Sequence, residues 1–515
     1  MKMKLLLLFA LLCVKGYAQE IQPDAVMSEA YWKLWNPEVQ AKIDRDIEQN
    51  RKADAVCKLG TVPVGTEVKV EQLSHDFIFG AHIFNYNQLG TRERNEKYKE
   101  LYGTLFNSAT ISFYWKKFEM QPNRPRLREE YWDTEAYWNG VEEPKKEPHW
   151  RRPSSDQVVR FCESKGIRLH GHTLIWGNRR WQHPEWLFEK YATEEEKNNL
   201  KGLAEFASEK KGTIGDKFTD EYNKMTPQQV EALLPDYTKK MKQLFEKRIV
   251  ELAEYYGDRI DSWDIVNESA TDYSLGRMIP GDGICKSHYG IMPGDYTYEA
   301  FKVANRVFPG NIKMNINDYK NDQSYVDQVK DLLARGCKID IMGSQMHLFD
   351  PQQCLDIADG KAIETPEIVW KKISTIAQAG LPIHLSEITI TAPGNDEKGQ
   401  AIQAIITRNL YRLWFSIKPM MGITWWNVVD DCGAPGEPSV SGIFSRDMKP
   451  KPAFFALDQL INHEWKTQLT AKVEKGSVLK FRGFRGEYRV SWKDQKGKTQ
   501  YKDFYLKNDG DGFNL

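Results

Sequence analysis

The sequence predicts an α/β fold built as a (β/α)8 barrel, the TIM-barrel architecture, with an N-terminal helix and β-hairpin extension and a small C-terminal β-unit. Three observations predict it. Eight short apolar runs, at 77–82, 108–113, 167–175, 260–266, 312–316, 339–345, 383–388 and 422–428, alternate with helix-forming stretches. A closed parallel barrel buries every such strand on both faces and leaves no edge exposed. Six successive runs end in polar or aromatic residues, at the end of the strands where barrel chemistry gathers. No GxGxxG or GxxxxGK loop follows the first run, so the nucleotide signatures of the rival open sheet are missing.

The elements follow in order. Residues 1–18 read as a secretory signal peptide: Lys2 and Lys4, an uncharged run from Leu5 to Val14, then small Gly16 and Ala18, with cleavage expected after Ala18. Cys13 sits inside the apolar run behind the large Leu12, which argues against a lipoprotein. The extension over 19–75 holds a charged helix over 36–52 and two alternating runs, 55–60 and 67–72, broken by Pro63-Val64-Gly65 and read as a β-hairpin. The barrel spans 76–465. Its intervals carry helical stretches at 156–165, 228–256, 296–307, 325–335, 366–379 and 401–417, and a last helix over 453–462 follows Pro450-Lys451-Pro452. Over 466–515 the pattern changes to short alternating runs with Gly and Asp-Gly turns, the small β-unit.

Composition narrows the class. With 72 Lys+Arg against 72 Asp+Glu the net charge is zero, so the footprint of a nucleic-acid or anionic-membrane binder is missing. No run beyond the leader approaches the roughly 20 apolar residues of a membrane span. The expectation is a monomer, secreted or periplasmic. Its 16 Trp and 23 Tyr supply rings that pack cores and also stack on sugar faces. Six cysteines follow the leader, at 57, 162, 285, 337, 354 and 432, spaced too irregularly for a metal knuckle or a CxxC site. Buried single thiols are expected for most, with pairing left open for Cys285 and Cys432. No metal or other cofactor is expected.

The chemistry lies in two glutamates. Glu268 closes the fourth run in Trp-Asp-Ile-Val-Asn-Glu, and Glu387 closes the seventh in Pro-Ile-His-Leu-Ser-Glu-Ile. Two carboxylates delivered to the edge of one core push each other's pKa apart, so one stays protonated and the other charged. Glycosidic bond cleavage needs that pair. Around them stand His170-Gly-His172 and Trp176 after the third run, Asn267 beside Glu268, Asn317-Asp318-Tyr319 after the fifth, Gln345-Met-His347 after the sixth and Trp425-Trp426-Asn427 after the eighth.

As a set these motifs resemble glycoside hydrolase family 10, whose typical members are endo-β-1,4-xylanases on a (β/α)8 barrel; the resemblance covers residues 77–461. It implies that Glu268 is the general acid/base and Glu387 the nucleophile of a retaining mechanism. It further implies that Asn267 bonds the sugar 2-hydroxyl and that His347 sits against Glu387. Lys116, His172, Trp176, Gln345 and Trp426 would hold the sugar beside the bond cut, with Asn317 and Tyr319 on the leaving-group side.

Several positions depart from the family pattern. Ser112 and Phe113 stand where an acid and an amide usually bind the second sugar, and Thr389 stands where an Asp usually orients the histidine, which predicts a neutral His347. Three extra residues between Trp176 and Pro184 bring in Arg179 and Arg180, read either as a solvated loop or as recognition of a uronic acid. Insertions over 123–152 and 190–225 fall on the active-site side, where they would remodel the groove. The leading reading is a retaining hydrolase of β-1,4-xylan or its oligosaccharides, with endo and exo action both open. The alternatives are the same mechanism on another β-linked, acidic polysaccharide, and a carbohydrate-binding protein without catalysis.

Overall fold

A computed structural model of the chain describes residues 26–205, 217–218, 220–278, 283–287 and 290–515. The expected leader lies outside them. All eight barrel strands form: Ile78–His82, Ser108–Ser112, Arg168–His172, Ser262–Asn267, Lys313–Asp318, Ile341–Leu348, Ile383–Ile390 and Met420–Trp425. They pair in chain order and in parallel, and the eighth closes on the first with Gly422 opposite Ile78. All eight residues of the seventh strand are buried, as a strand covered on both faces requires. The third strand breaks at Thr173-Leu174 and resumes as Ile175–Trp176, still paired to the fourth.

Helices Arg92–Leu105, Ser155–Lys165, Pro235–Tyr256, Tyr296–Val307, Gln323–Ala334, Pro366–Ile376, Glu397–Ser416 and Pro452–Asp458 follow the strands in turn. Tyr296–Val307 shows why they dock: Tyr296, Ala300, Phe301, Val303 and Ala304 recur at three- and four-residue spacing and are buried against the barrel. The single helix expected over 228–256 is two, Pro227–Leu233 and Pro235–Tyr256. Pro235 forces the break, since its ring drives Leu234 out of the helical region (φ −136, ψ 48).

The hairpin expected before the barrel does not form. Lys52–Lys58 pairs instead with Val478–Phe484, and Glu67–His75 lies between Gln468–Lys472 and Gly486–Lys493, with Thr499–Leu506 outermost. Both ends of the chain thus build one β-unit around its own core, in which Val68, Val70, Leu479, Tyr488 and Val490 alternate inward. The unit sits against the amino-terminal end of the barrel. A cavity there is lined by His75, Arg485 and Lys507 together with Phe77, Arg168, Lys313 and Met420 from the strand starts. Aromatic rings meet at this junction: Phe415 of the barrel lies 6.1 Å from Phe484 of the unit, and Trp465 stacks on Phe415 at 4.0 Å and on Phe79 at 5.7 Å. The six described cysteines are buried and free, Cys285 and Cys432 included, so the pairing left open for those two is not made. Among the described residues no helix is long and apolar enough to cross a membrane.

Candidate active site

The carboxyl ends of the fourth to seventh strands converge on the two glutamates. Glu387 owes its position to a β-bulge: Leu385 pairs Ser344 and Glu387 pairs Gln345, so Ser386 is an extra residue in the seventh strand. The bulge turns successive side chains toward the same centre. Ser386 Oγ donates to Asn317 Oδ1 at 2.5 Å, while Glu387 Oε1 accepts from Asn317 Nδ2 at 2.8 Å and from Gln345 Nε2 at 3.1 Å. Its Oε2 lies 3.4 Å from His347 Nε2, and Nδ1 of that ring is 2.9 Å from Thr389 Oγ1. Thr389 thus takes the orienting position, with a hydroxyl in place of a charge.

Glu268 ends the fourth strand in the left-handed region at φ 53, a conformation that costs a non-glycine residue about 1–3 kcal/mol. Its amide donates to the Asn317 carbonyl at 2.8 Å, which holds the turn. The Oε1 of Glu268 accepts from Gln345 Nε2 at 3.2 Å. Both carboxyls therefore touch one nitrogen, and contacts of 3.2 and 3.1 Å hold those two oxygens within about 6.3 Å of each other. Desolvation first, then the charges of Glu387 and Asp318, push Glu268 up from 4.5 to about 8. Asp318 is itself raised to about 6 by burial, against amide donors that include Ala270 N at 2.8 Å.

His172 spans the site. Its Nδ1 is 2.7 Å from Asp264 Oδ2, and its Nε2 is 3.1 Å from the Tyr114 hydroxyl and 3.8 Å from Glu387 Oε1. Burial opposes the imidazolium, but the hydrogen bond to Asp264 and the charges of Glu387 and Asp264 outweigh it and raise His172 above the usual histidine value. Asp264 also accepts from His170 Nε2 at 2.9 Å, and its two histidines hold it well below the usual carboxylate range despite burial. Asn267 accepts from Asn317 Nδ2 at 2.8 Å and from Gln345 Nε2 at 3.4 Å, both on Oδ1. Trp176 and Trp426 form an aromatic wall with Phe84 and Tyr114. Beside it opens a cavity of ≈ 470 Å³ lined by Trp176, Glu268, Tyr319, Gln345, His347 and Phe349.

The structure gathers Glu268, Glu387, Asn267, His347, His172, Trp176, Gln345 and Trp426, and sets Tyr319 on the cavity wall, 39% exposed. Lys116 lies in the one-turn helix Trp115–Phe118 and pairs with Glu185 at 3.0 Å. Asn317 is fully buried, donates to Glu387, and does not line the cavity that holds Tyr319. The Ser112 hydroxyl is buried without a partner, and Phe113 packs on Trp263, Tyr256 and Phe118, so neither reaches a sugar. The side chains of Arg179 and Arg180 lie outside the described residues.

Sequence reading passed over Tyr114, Asp264, His82, Phe84 and the Arg151-Arg152 pair. Alternation carried a signal for Tyr114, since a core-facing Phe113 places its neighbour in the barrel mouth. Asp264 stood in a quoted motif, but only the fold brings both histidines onto it. His82 and Phe84 close the first strand, which with the second lay outside the six strand ends where motifs were read.

Comparisons with known proteins bear on the family of the chain. The profile described as Glycosyl hydrolase family 10 matches residues 71–460. Endo-1,4-beta-xylanase A of Thermoanaerobacterium saccharolyticum is 23% identical over 312 residues, covering 59% of this chain and 22% of that protein. Endo-1,4-beta-xylanase A of Halalkalibacterium halodurans is 26% identical over 310 residues, covering 56% of this chain and 64% of that protein. This chain therefore spans less than two thirds of the length of each. Among solved structures, xylanase 10B from Thermotoga petrophila RKU-1 in complex with xylobiose superposes with a TM-score of 0.47 at 17% identity, over 76% of this chain and 95% of that one.

Proposed function

The chain belongs to glycosyl hydrolase family 10, and on that premise we propose that it is a secreted or periplasmic retaining glycoside hydrolase cleaving β-1,4-xylosidic bonds in xylan or xylo-oligosaccharides. The observation that supports the mechanism is the shared contact on Gln345 Nε2, which keeps one oxygen of Glu268 and one of Glu387 no more than about 6.3 Å apart, a bound that admits the retaining spacing. Retention needs carboxyls roughly 5–5.5 Å apart, while inversion needs roughly 6.5–9.5 Å to admit a water. Glu387 attacks the anomeric carbon as Glu268, protonated at neutral pH, gives its proton to the departing oxygen. Esterification removes the Glu387 charge that helps hold up the Glu268 pKa, so Glu268 then serves as base toward water. Asn267, with both contacts on Oδ1, is left its Nδ2 to bond the sugar 2-hydroxyl. Lys116, His172, Trp176, Gln345 and Trp426 are assigned to holding the sugar at the bond cut, and Tyr319 to meeting the leaving group.

The xylan assignment is supported by relatives that carry the name xylanase, and the leader-like N-terminus supports export. A catalytic barrel over 76–465, flanked by 19–75 and 466–515, is the domain division adopted with this reading. The test is the anomer released first, followed by NMR on xylo-oligosaccharides: retained configuration is expected, and an inverted product sinks the mechanism. Glu387→Gln should lower kcat roughly 10⁴-fold while still binding the oligosaccharide.

A further inference from the structure

The insertion over 123–152 ends in Arg151-Arg152, and both side chains turn into the barrel mouth. Arg151 is 3% and Arg152 8% exposed, in the range of Trp176 at 8% and Trp426 at 6%. Arg151 has partners. Its Nη1 lies 3.4 Å from Glu437 Oε2, and its Nη2 lies 3.3 Å from Asn427 Oδ1 and 3.1 Å from His82 Nε2. That carboxylate is already shared, since Glu437 Oε2 also accepts from Asn427 Nδ2 at 3.1 Å and from the Ala434 amide at 2.7 Å.

Arg152 has no such partner. Its guanidinium stands 4.1 Å from the centre of the Tyr114 ring and 5.2 Å from that of Phe84. Among the described residues its side chain makes one hydrogen bond, from Nη1 to the Arg151 carbonyl at 2.7 Å, and its Nε is buried without any. Among the described residues no carboxylate lies within ion-pair reach of it. Two buried guanidiniums thus face one carboxylate, although an unpaired buried charge is among the costliest arrangements in a protein. Burial pulls Arg152 down to about 9, with Arg151 adding repulsion, and it stays charged at neutral pH.

The pair has a definite place in the site. Arg152 stacks on Tyr114, whose hydroxyl touches His172, which in turn faces Glu387. The cavity that holds Glu268 and Tyr319 belongs to the third to sixth strands, whereas Arg151 contacts residues of the first and eighth strand ends. With Glu268 serving the leaving group, the arginines stand on the side of the sugar that is retained.

We infer that Arg152, backed by Arg151, binds a carboxylate carried by the sugar on the retained side of the bond, so that the natural substrate is a β-linked glycan bearing uronic acid. The inference rests on the retaining-hydrolase reading and names its substrate class. The planar fork of arginine matches a carboxylate with two parallel hydrogen bonds, and stacking on Tyr114 fixes the plane beforehand. Such a ligand would supply the missing negative charge.

The test compares acid-bearing with neutral substrates. Kinetics would use a xylo-oligosaccharide with and without a glucuronic acid branch, and the aryl β-glucuronide against the aryl β-glucoside and β-xyloside. Calorimetry would use the same oligosaccharides with Glu387→Gln. The wild type should favour one acid-bearing member. Arg152→Met should reduce the acid-to-neutral ratio of kcat/KM, and of affinity in the Glu387→Gln background, about 100-fold, as expected when one partner of a buried charge pair is removed. Arg152→Lys should lie between. A glucuronide preference places the carboxylate on the sugar being cut, and a branch preference on a side group. The inference is overturned if the wild type shows no acid preference, or if Arg152→Met weakens acid and neutral substrates equally. Should the wild type hydrolyse none of them, the hydrolase reading fails separately, because calorimetry still reads the acid preference.

Discussion

Glu268 carries a pH signature of its own. Its carboxyl titrates near 4.5 when unfolded and near 8 when folded. Between those values the folded chain keeps a proton that the unfolded chain has released, so rising pH favours unfolding. Stability from this group is present in full below about pH 4.5 and is lost as pH climbs to about 8. Glu268→Gln has no such dependence, so its melting temperature relative to wild type should rise from pH 5 to pH 8; a constant difference would refute the raised value. In the wild type, kcat/KM should fall above about pH 8 as the acid loses its proton. Both glutamates were legible in sequence because a charged residue closing an apolar run is conspicuous. The contact of Asn317 with Glu387 and the place of Tyr114 were not legible because both depend on which neighbouring strand each side chain meets.

At the scale of the element, the bulge at Ser386 and the close approach of the fifth and sixth strands set the position of Glu387. A β-carbon at Gly343 would meet Asn317 Oδ1 at 2.4 Å, so only glycine lets Asn317 stand where it donates to Glu387. Gly343→Ala should displace that amide, destabilise the fold by about 1–3 kcal/mol and lower kcat far more than it changes KM. Urea unfolding and steady-state kinetics check it, and an unchanged kcat would remove Asn317 from the positioning role. Strands and helices were legible at this scale because apolar runs and amphipathic spacing are local signals. Pro235 also announced the helix break at Leu234, although the apolar pattern running through it suggested one helix.

At the scale of the whole molecule, the β-unit built from both termini covers the end of the barrel opposite the glutamates, and its joint to the barrel is aromatic, with Phe484 against Phe415 and Trp465 stacked on Phe415. Trp465→Ala should cost about 3–5 kcal/mol, lowering the melting temperature while leaving kcat on short substrates unchanged at temperatures where the variant is folded. A large fall in kcat would mean that the joint also shapes the catalytic end. The hairpin expected over 55–72 failed for a reason that belongs to this scale: alternation tells a strand that one face is buried, but not which strand lies beside it. By itself the sequence determined the eight-fold alternation, the barrel class and the two strand-end carboxylates proposed to carry the chemistry, because periodicity and strand-end residues are written locally. Only the tertiary structure decided that the termini share a sheet, that Gln345 bridges both glutamates and that two arginines of an insertion come to rest beside Phe84, because each requires segments far apart in the chain to meet.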